Sequence, residues 1–177
     1  TPGRSAGGMT MKIFGLAGWS GSGKTSLIVK LIPELVARGI SVSTMKHAHH
    51  DFDIDQPGKD SFEHRQAGAS EVIISASKRW ALMHEIRDEE EPSVDELIAR
   101  MTPVDLLLVE GFKWHSHPKM EIHRPSVGKP LLQLDDPEII AVASDEKLTG
   151  LAVPVLDLND FSCVADFILA QCSLKAA

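Results

Sequence analysis

The chain has 177 residues, 43% of them hydrophobic, enough to bury one good core in a single domain. Its formal net charge of −7 argues against a general nucleic-acid binder, which would carry a basic surface. It has neither an apolar run of membrane-spanning length nor a charged segment leading into an apolar signal sequence, so a soluble cytoplasmic protein without membrane or nucleic-acid partners is expected.

Residues 1–8 are rich in Gly, Ser and Pro, and 1–10 is expected to be a disordered leader or expression remnant. One domain is expected over 11–172, with a tail at 173–177. Residues 11–17 are short, apolar and strand-like, and 24–38 read as a helix with Leu27, Ile28, Leu31, Leu35 and Val36 at helical spacing. Pro33 predicts a kink rather than a stop, because the apolar pattern continues to Val36 and Gly39 makes a natural cap. Between strand and helix stands Gly18-Trp19-Ser20-Gly21-Ser22-Gly23-Lys24-Thr25, which matches a phosphate loop at every fixed position. Gly18, Gly21 and Gly23 let the backbone curl so that its N–H groups face a triphosphate, and the loop delivers that anion to a helix N-terminus. Lys24 should reach the β- and γ-phosphates and the Thr25 hydroxyl should coordinate Mg²⁺, with Ser20, Ser22 and Ser26 completing the binding set.

Residues 40–46 alternate as a second strand and lead into a loop carrying His47, His49, His50, Asp51, Asp53 and Asp55. Two readings compete for it, a transition-metal site and a polar loop facing the nucleotide; no familiar zinc spacing is present, which favours the second. A short helix over 60–68 is followed by strands at 70–76 and 79–86 joined by a tight turn, a hairpin that implies an antiparallel piece in an otherwise parallel sheet. The acidic run 87–91 reads as a solvated loop, and Ser93 with Glu96 forms a capping box for a helix reaching Met101.

Residues 104–111 form a nearly continuous apolar strand, the mark of a sheet centre, ending in Glu110. Glu110 has the place of a Walker B carboxylate, contacting metal, a metal-bound water or the attacking water. After a polar stretch with Trp114, His115 and His117, the alternating residues 120–124 suit an edge or hairpin strand and a dimer contact; Arg124 could serve a phosphate or a partner, with a surface arginine the default. Strands follow at 138–143 and 153–157, with Pro154 suited to the beginning of the latter or to an edge position, and Asp160 or Ser162 caps a closing helix to about Cys172. Cys163 and Cys172 lie nine positions apart on that helix, about 13 Å, too far to bridge. These elements predict a three-layer α/β P-loop fold: a mainly parallel sheet with helices on both faces and an antiparallel hairpin or edge extension.

The phosphate loop, Lys46-His-Ala-His-His-Asp-Phe-Asp-Ile-Asp-Gln-Pro-Gly-Lys-Asp-Ser61, Arg65-Gln-Ala-Gly-Ala69, Leu108-Val-Glu-Gly-Phe-Lys113 and Lys119-Met-Glu-Ile-His-Arg124 together resemble the molybdopterin-guanine dinucleotide biosynthesis adaptor family, MobB, over about 11–169. The resemblance implies a GTP-binding protein with weak Mg²⁺-dependent GTPase activity. It implies assistance to the guanylyltransferase that attaches GMP to molybdopterin, a homodimer, and molybdopterin itself as a further candidate ligand. Carried onto this chain, Gly21, Gly23, Lys24 and Thr25 would bind phosphate and Mg²⁺ and Glu110 would be the Walker B carboxylate. Asp53, with Asp51 and Asp55, is a candidate for metal or water contacts. No Asn-Lys-x-Asp is present, so guanine preference rests on the resemblance, with Asp145 the candidate base reader by position and Asp157 second. Trp19 after Gly18 departs from the deviant phosphate loop of partition ATPases. Two alternatives stand beside the adaptor: a small-molecule kinase using ATP or GTP, although Arg65 and Arg79 are isolated, and an interaction protein whose nucleotide site is structural.

Overall fold

A computed structural model describes residues 11–48, 52–112 and 115–176. Along the chain run β1 (Lys12–Ala17), α1 (Lys24–Ala37), β2 (Val42–Lys46), α2 (Asp60–Gln66), β3 (Glu71–Ala76), β4 (Arg79–His84), α3 (Val94–Ala99), β5 (Leu106–Glu110), β6 (Lys119–His123), a 3-10 turn (Pro125–Val127), β7 (Ile139–Ser144), β8 (Val155–Asp157) and α4 (Phe161–Gln171). The chain forms two compact units, one built from Thr1–His47 with Thr102–Ala177 and one from Ala48–Met101. No helix among the described residues is long and apolar enough to cross a membrane.

The first unit carries a six-stranded sheet in the order β2-β5-β1-β6-β7-β8. Each neighbouring pair is parallel. Strand side chains alternate between faces, so Phe14, Leu16, Leu106, Leu108, Met120, Ile122, Ala141 and Ala143 share one side. Against it pack Leu27, Leu31 and Leu35 of α1 and Val164, Ala165 and Ile168 of α4, which the 3.6-residue period collects on single helix faces. α1 runs through Pro33 to Ala37 and closes on Gly39, whose N–H donates to the Val36 carbonyl. Asp160 caps α4, its Oδ1 accepting the Cys163 N–H at 2.9 Å. Both cysteines are free, and burial pushes the Cys172 thiol up to about 11, far from reactive.

β6 corrects the sequence reading. Its polar alternation predicts an edge strand and a dimer contact, yet it lies between β1 and β7 with all five residues buried. Both of its hydrogen-bonding edges are used inside the sheet, so no second copy can pair with it. Met120 and Ile122 enter the core, and on the opposite side Lys119 and Glu121 find partners in the segment 125–137. Lys119 Nζ lies 3.1 Å from Asp136 Oδ2. Glu121, fully buried, accepts the backbone N–H groups of Leu132 at 2.9 Å and Gln133 at 2.8 Å. A carboxylate is tolerated at the sheet centre because its lone pairs are spent on these donors.

In the second unit β3 and β4 pair antiparallel as expected, but as a separate two-stranded sheet rather than an addition to the first. The hairpin buries only Val72 and Met83, too little apolar surface for an inner strand of a covered sheet. The capping box of α3 forms as read, Glu96 N donating to Ser93 Oγ and Ser93 N to Glu96 Oε2. His84 sits between Glu71 at 2.8 Å and Glu89 at 2.7 Å, hydrogen bonds that raise its pKa, so part of the acidic run is engaged rather than merely solvated.

Replacing Glu121 by Ala strands two backbone donors and is expected to cost about 2–4 kcal/mol in chemical denaturation. Glu121→Gln, whose amide oxygen still accepts one bond, should cost less; equal losses would show that the paired carboxylate oxygens rather than side-chain volume are at stake.

Candidate functional site

The turn from β1 into α1 is shaped by what surrounds it. Gly18 has φ 142°, and a Cβ there would stand 2.5 Å from the Ile122 carbonyl oxygen and 2.7 Å from Ser22 Oγ. Only glycine lets the loop start this close to β6. Gly23, at φ 97°, is the N-cap of α1; it offers no side-chain cap and the first helical turn has no acidic residue. The helix therefore presents unpaired N–H groups and the positive end of its dipole at the loop.

Around this opening the side chains are held in place. Lys24 Nζ folds back to donate to the carbonyl oxygens of Gly18 at 2.7 Å and Trp19 at 3.0 Å. The Ser22 hydroxyl is buried without a hydrogen-bond partner among the described residues, while Ser20, Thr25 and Ser26 are exposed. The Trp19 indole N–H donates to the Pro130 carbonyl at 2.8 Å, and Lys129 Nζ lies 5.6 Å from the Trp19 ring centroid. Arg124 reaches the same turn, its Nε donating to the Ser22 carbonyl at 3.1 Å and its Nη1 to Asp145 Oδ2 at 2.6 Å.

Glu110 ends β5 in register with Leu16 of β1 and Lys46 of β2, so the sheet brings it to the same carboxyl edge as the loop. Its side chain is largely buried, with Lys46 Nζ at 3.9 Å, a long pair with a mostly exposed lysine that contributes little. The chain then turns at Gly111, φ 98°, where a Cβ would stand 3.1 Å from the His47 carbonyl oxygen, and the His47 and Phe112 rings lie 5.1 Å apart.

The other candidates fall into different roles. Asp53 belongs to the second unit, where it pairs with Arg65 at 2.7 Å alongside Asp55 and Glu85. Hydrogen bonds from Arg65, with its charge, hold the Asp55 carboxyl below its usual range. His49, His50, Asp51 and Trp114 lie outside the described residues. Asp157 spends Oδ1 on the Asn159 N–H at 2.8 Å, forming a local turn. Asp145, just past β7, carries the Arg124 bond. The sequence alone offers Arg124 as a surface arginine or as a contact for a phosphate or a partner; the β1–β6 pairing, which no local pattern encodes, brings it to the loop. His117, in the polar stretch before β6, is pushed down to about 4 by burial, then by the charges of Lys119 and His115, and stands with His115 in an Nδ1–Nδ1 contact of 2.8 Å.

The residues present fit a nucleoside triphosphate: glycines at the close approaches, a buried hydroxyl without a partner among the described residues, an uncapped helix start and one lysine. The Thr25 hydroxyl in the first turn of α1 and the Glu110 carboxylate at the end of β5 are oxygen donors of the kind a nucleotide-borne Mg²⁺ takes.

The family model described as "Molybdopterin guanine dinucleotide synthesis protein B" matches residues 13–145. The chain is 47% identical over 167 residues, 93% of its length and 95% of the other, to the molybdopterin-guanine dinucleotide biosynthesis adapter protein of Escherichia coli K12. It is 44% identical over 158 residues, 88% of its length and 86% of the other, to the protein of the same name from Haemophilus influenzae. A crystal structure of molybdopterin-guanine biosynthesis protein B superposes with a TM-score of 0.71 at 26% identity, covering 90% of this chain and 99% of that one.

Gly18→Ala is expected to cost about 2–3 kcal/mol from backbone strain and the clash with Ile122, while Gly21→Ala, with open space around it, should cost about 1 kcal/mol; thermal unfolding checks the contrast. His117 stays neutral in the folded chain down to about pH 4 while the unfolded chain takes up its proton near 6.5, so stability is full above 6.5 and falls as pH drops toward 4. His117→Gln should flatten the slope of stability against pH in that window by up to one proton, read from denaturant titrations at several pH values.

Proposed function

The chain belongs to the molybdopterin guanine dinucleotide synthesis protein B family, MobB, and from that membership we propose that it is a GTP-binding adapter in molybdopterin guanine dinucleotide biosynthesis with weak Mg²⁺-dependent GTPase activity. The observation that carries the nucleotide reading is the loop at 18–25, which opens onto an uncapped, acid-free helix start with Lys24 folded across it. Backbone donors held in fixed directions bind phosphate without reorganising, and Lys24 can exchange two carbonyl partners for phosphate oxygens. The buried Ser22 hydroxyl supplies one more donor that otherwise has no acceptor.

Mg²⁺ arriving with the nucleotide would be held through Thr25 and Glu110 and would offset charge on the β- and γ-phosphates. Slow hydrolysis fits a site with no obvious glutamine to orient water, whose neighbouring arginine, Arg124, is engaged by the Ser22 carbonyl and Asp145. Slow turnover suits a protein that acts by holding a bound state for a partner. That partner is the guanylyltransferase that joins GMP to molybdopterin, and the working form is a cytoplasmic homodimer. Asp53 as a metal or water contact is part of the same reading, and its pairing with Arg65 means that it must be released or shared to act. A kinase would need a free arginine for a lid, and Arg65 is engaged by three carboxylates.

Calorimetric titration with GTP, ATP and GDP in Mg²⁺, repeated on Lys24→Ala, tests the reading. GTP should bind more tightly than ATP, and the variant should lose at least about tenfold in affinity while keeping its unfolding midpoint. Equal or ATP-favoured binding would bring the kinase forward; retention of binding in the variant would remove Lys24 from the site.

A further inference from the structure

Arg124 follows β6 directly, and β6 lies so close to the phosphate loop that the Ile122 carbonyl occupies the space a Gly18 side chain would need. The guanidinium consequently packs on the Ser22-Gly23 turn: a Cβ on Gly23 would stand 3.2 Å from Arg124 Nε and 3.5 Å from Nη2. One edge of the fork takes the Ser22 carbonyl and the other takes Asp145 Oδ2, with both side chains partly shielded from solvent at 33% and 24% exposure. A cation at the N-cap of a helix opposes the helix dipole unless an anion accompanies it. Asp145 is that anion, and the charge-assisted bond between them spans from the loop to the end of β7.

We propose that Arg124 is a positioning residue that joins the phosphate loop to Asp145 and thereby makes the choice of purine part of phosphate binding. The proposal rests on the nucleotide-binding reading above. The guanidinium occupies Oδ2 and orients the carboxylate, whose remaining acceptor sites match the N1–H and N2–H₂ donors on one edge of guanine. Adenine turns an acceptor nitrogen toward the same group and lacks the amine, so the carboxylate is left facing a lone pair. Without Arg124 the carboxylate loses its fixed direction and the loop its brace on the Ser22 carbonyl.

The test is titration of the full chain with Mg²⁺–GTP, Mg²⁺–ATP and inorganic tripolyphosphate, which carries phosphates but no base. Wild type, Arg124→Gln, Asp145→Asn and the double variant are compared, with thermal unfolding measured on each. Asp145→Asn should lower the GTP-over-ATP affinity ratio at least tenfold while leaving tripolyphosphate binding unchanged or stronger. Arg124→Gln should lower the ratio to a similar degree and weaken tripolyphosphate by a smaller factor, and the double variant should lower the ratio no further than either single one. If Arg124→Gln does not fold, Asp145→Asn reads the same pair from its other end. Parallel losses for all three ligands, or an unchanged ratio in either variant, would overturn the coupling. Wild-type binding of both nucleotides with equal affinity would overturn this inference and leave the phosphate site standing, whereas no binding of any ligand would remove both.

Discussion

The Glu121 carboxylate, fully buried at the centre of the sheet, is the contact on which the rest of the first unit depends. It fastens the segment 125–137 to β6 through two backbone N–H bonds, and that segment returns Pro130 to the Trp19 indole. The same strand lends Ile122 to the close approach at Gly18 and Arg124 to the turn at Ser22. One buried carboxyl group, costly if left alone, thus sets both the floor under the 18–25 loop and the segment that holds its second residue.

Backbone geometry with few residue solutions is legible in the sequence. The strand-to-helix turn at 18–25 takes positive φ at Gly18, Gly21 and Gly23, where glycine is the residue that fits. β5 is legible for a similar reason, since a strand covered on both faces has no room for polar side chains, and Leu106, Leu107 and Leu108 are fully buried. The capping box at Ser93 is local and needs no tertiary information.

β6 is illegible for the opposite reason. Lys119, Glu121 and His123 look like the solvent side of an edge strand, and the partners that make Lys119 and Glu121 tolerable inside, Asp136 and the N–H groups of Leu132 and Gln133, come from eleven to seventeen positions further along. Period-two alternation reports that two faces differ, not that one is wet. Arg124 is hidden by the same gap, because its role is defined by strand neighbours that the sequence does not name. The hairpin is read correctly as a pair, while its independence from the larger sheet depends on how little it buries.

The bond from Trp19 to Pro130 has a consequence for the thermodynamics of binding. Loops that wrap a ligand usually lose backbone freedom when they do so, and that loss subtracts from affinity. Here the second residue of the loop is tied through its indole, the fifth through Arg124, and the first and second carbonyls through Lys24. The conformational entropy has been given up during folding, so a ligand entering such a loop meets a preorganised shape and has chiefly to exchange hydrogen-bond partners with a single flexible ammonium.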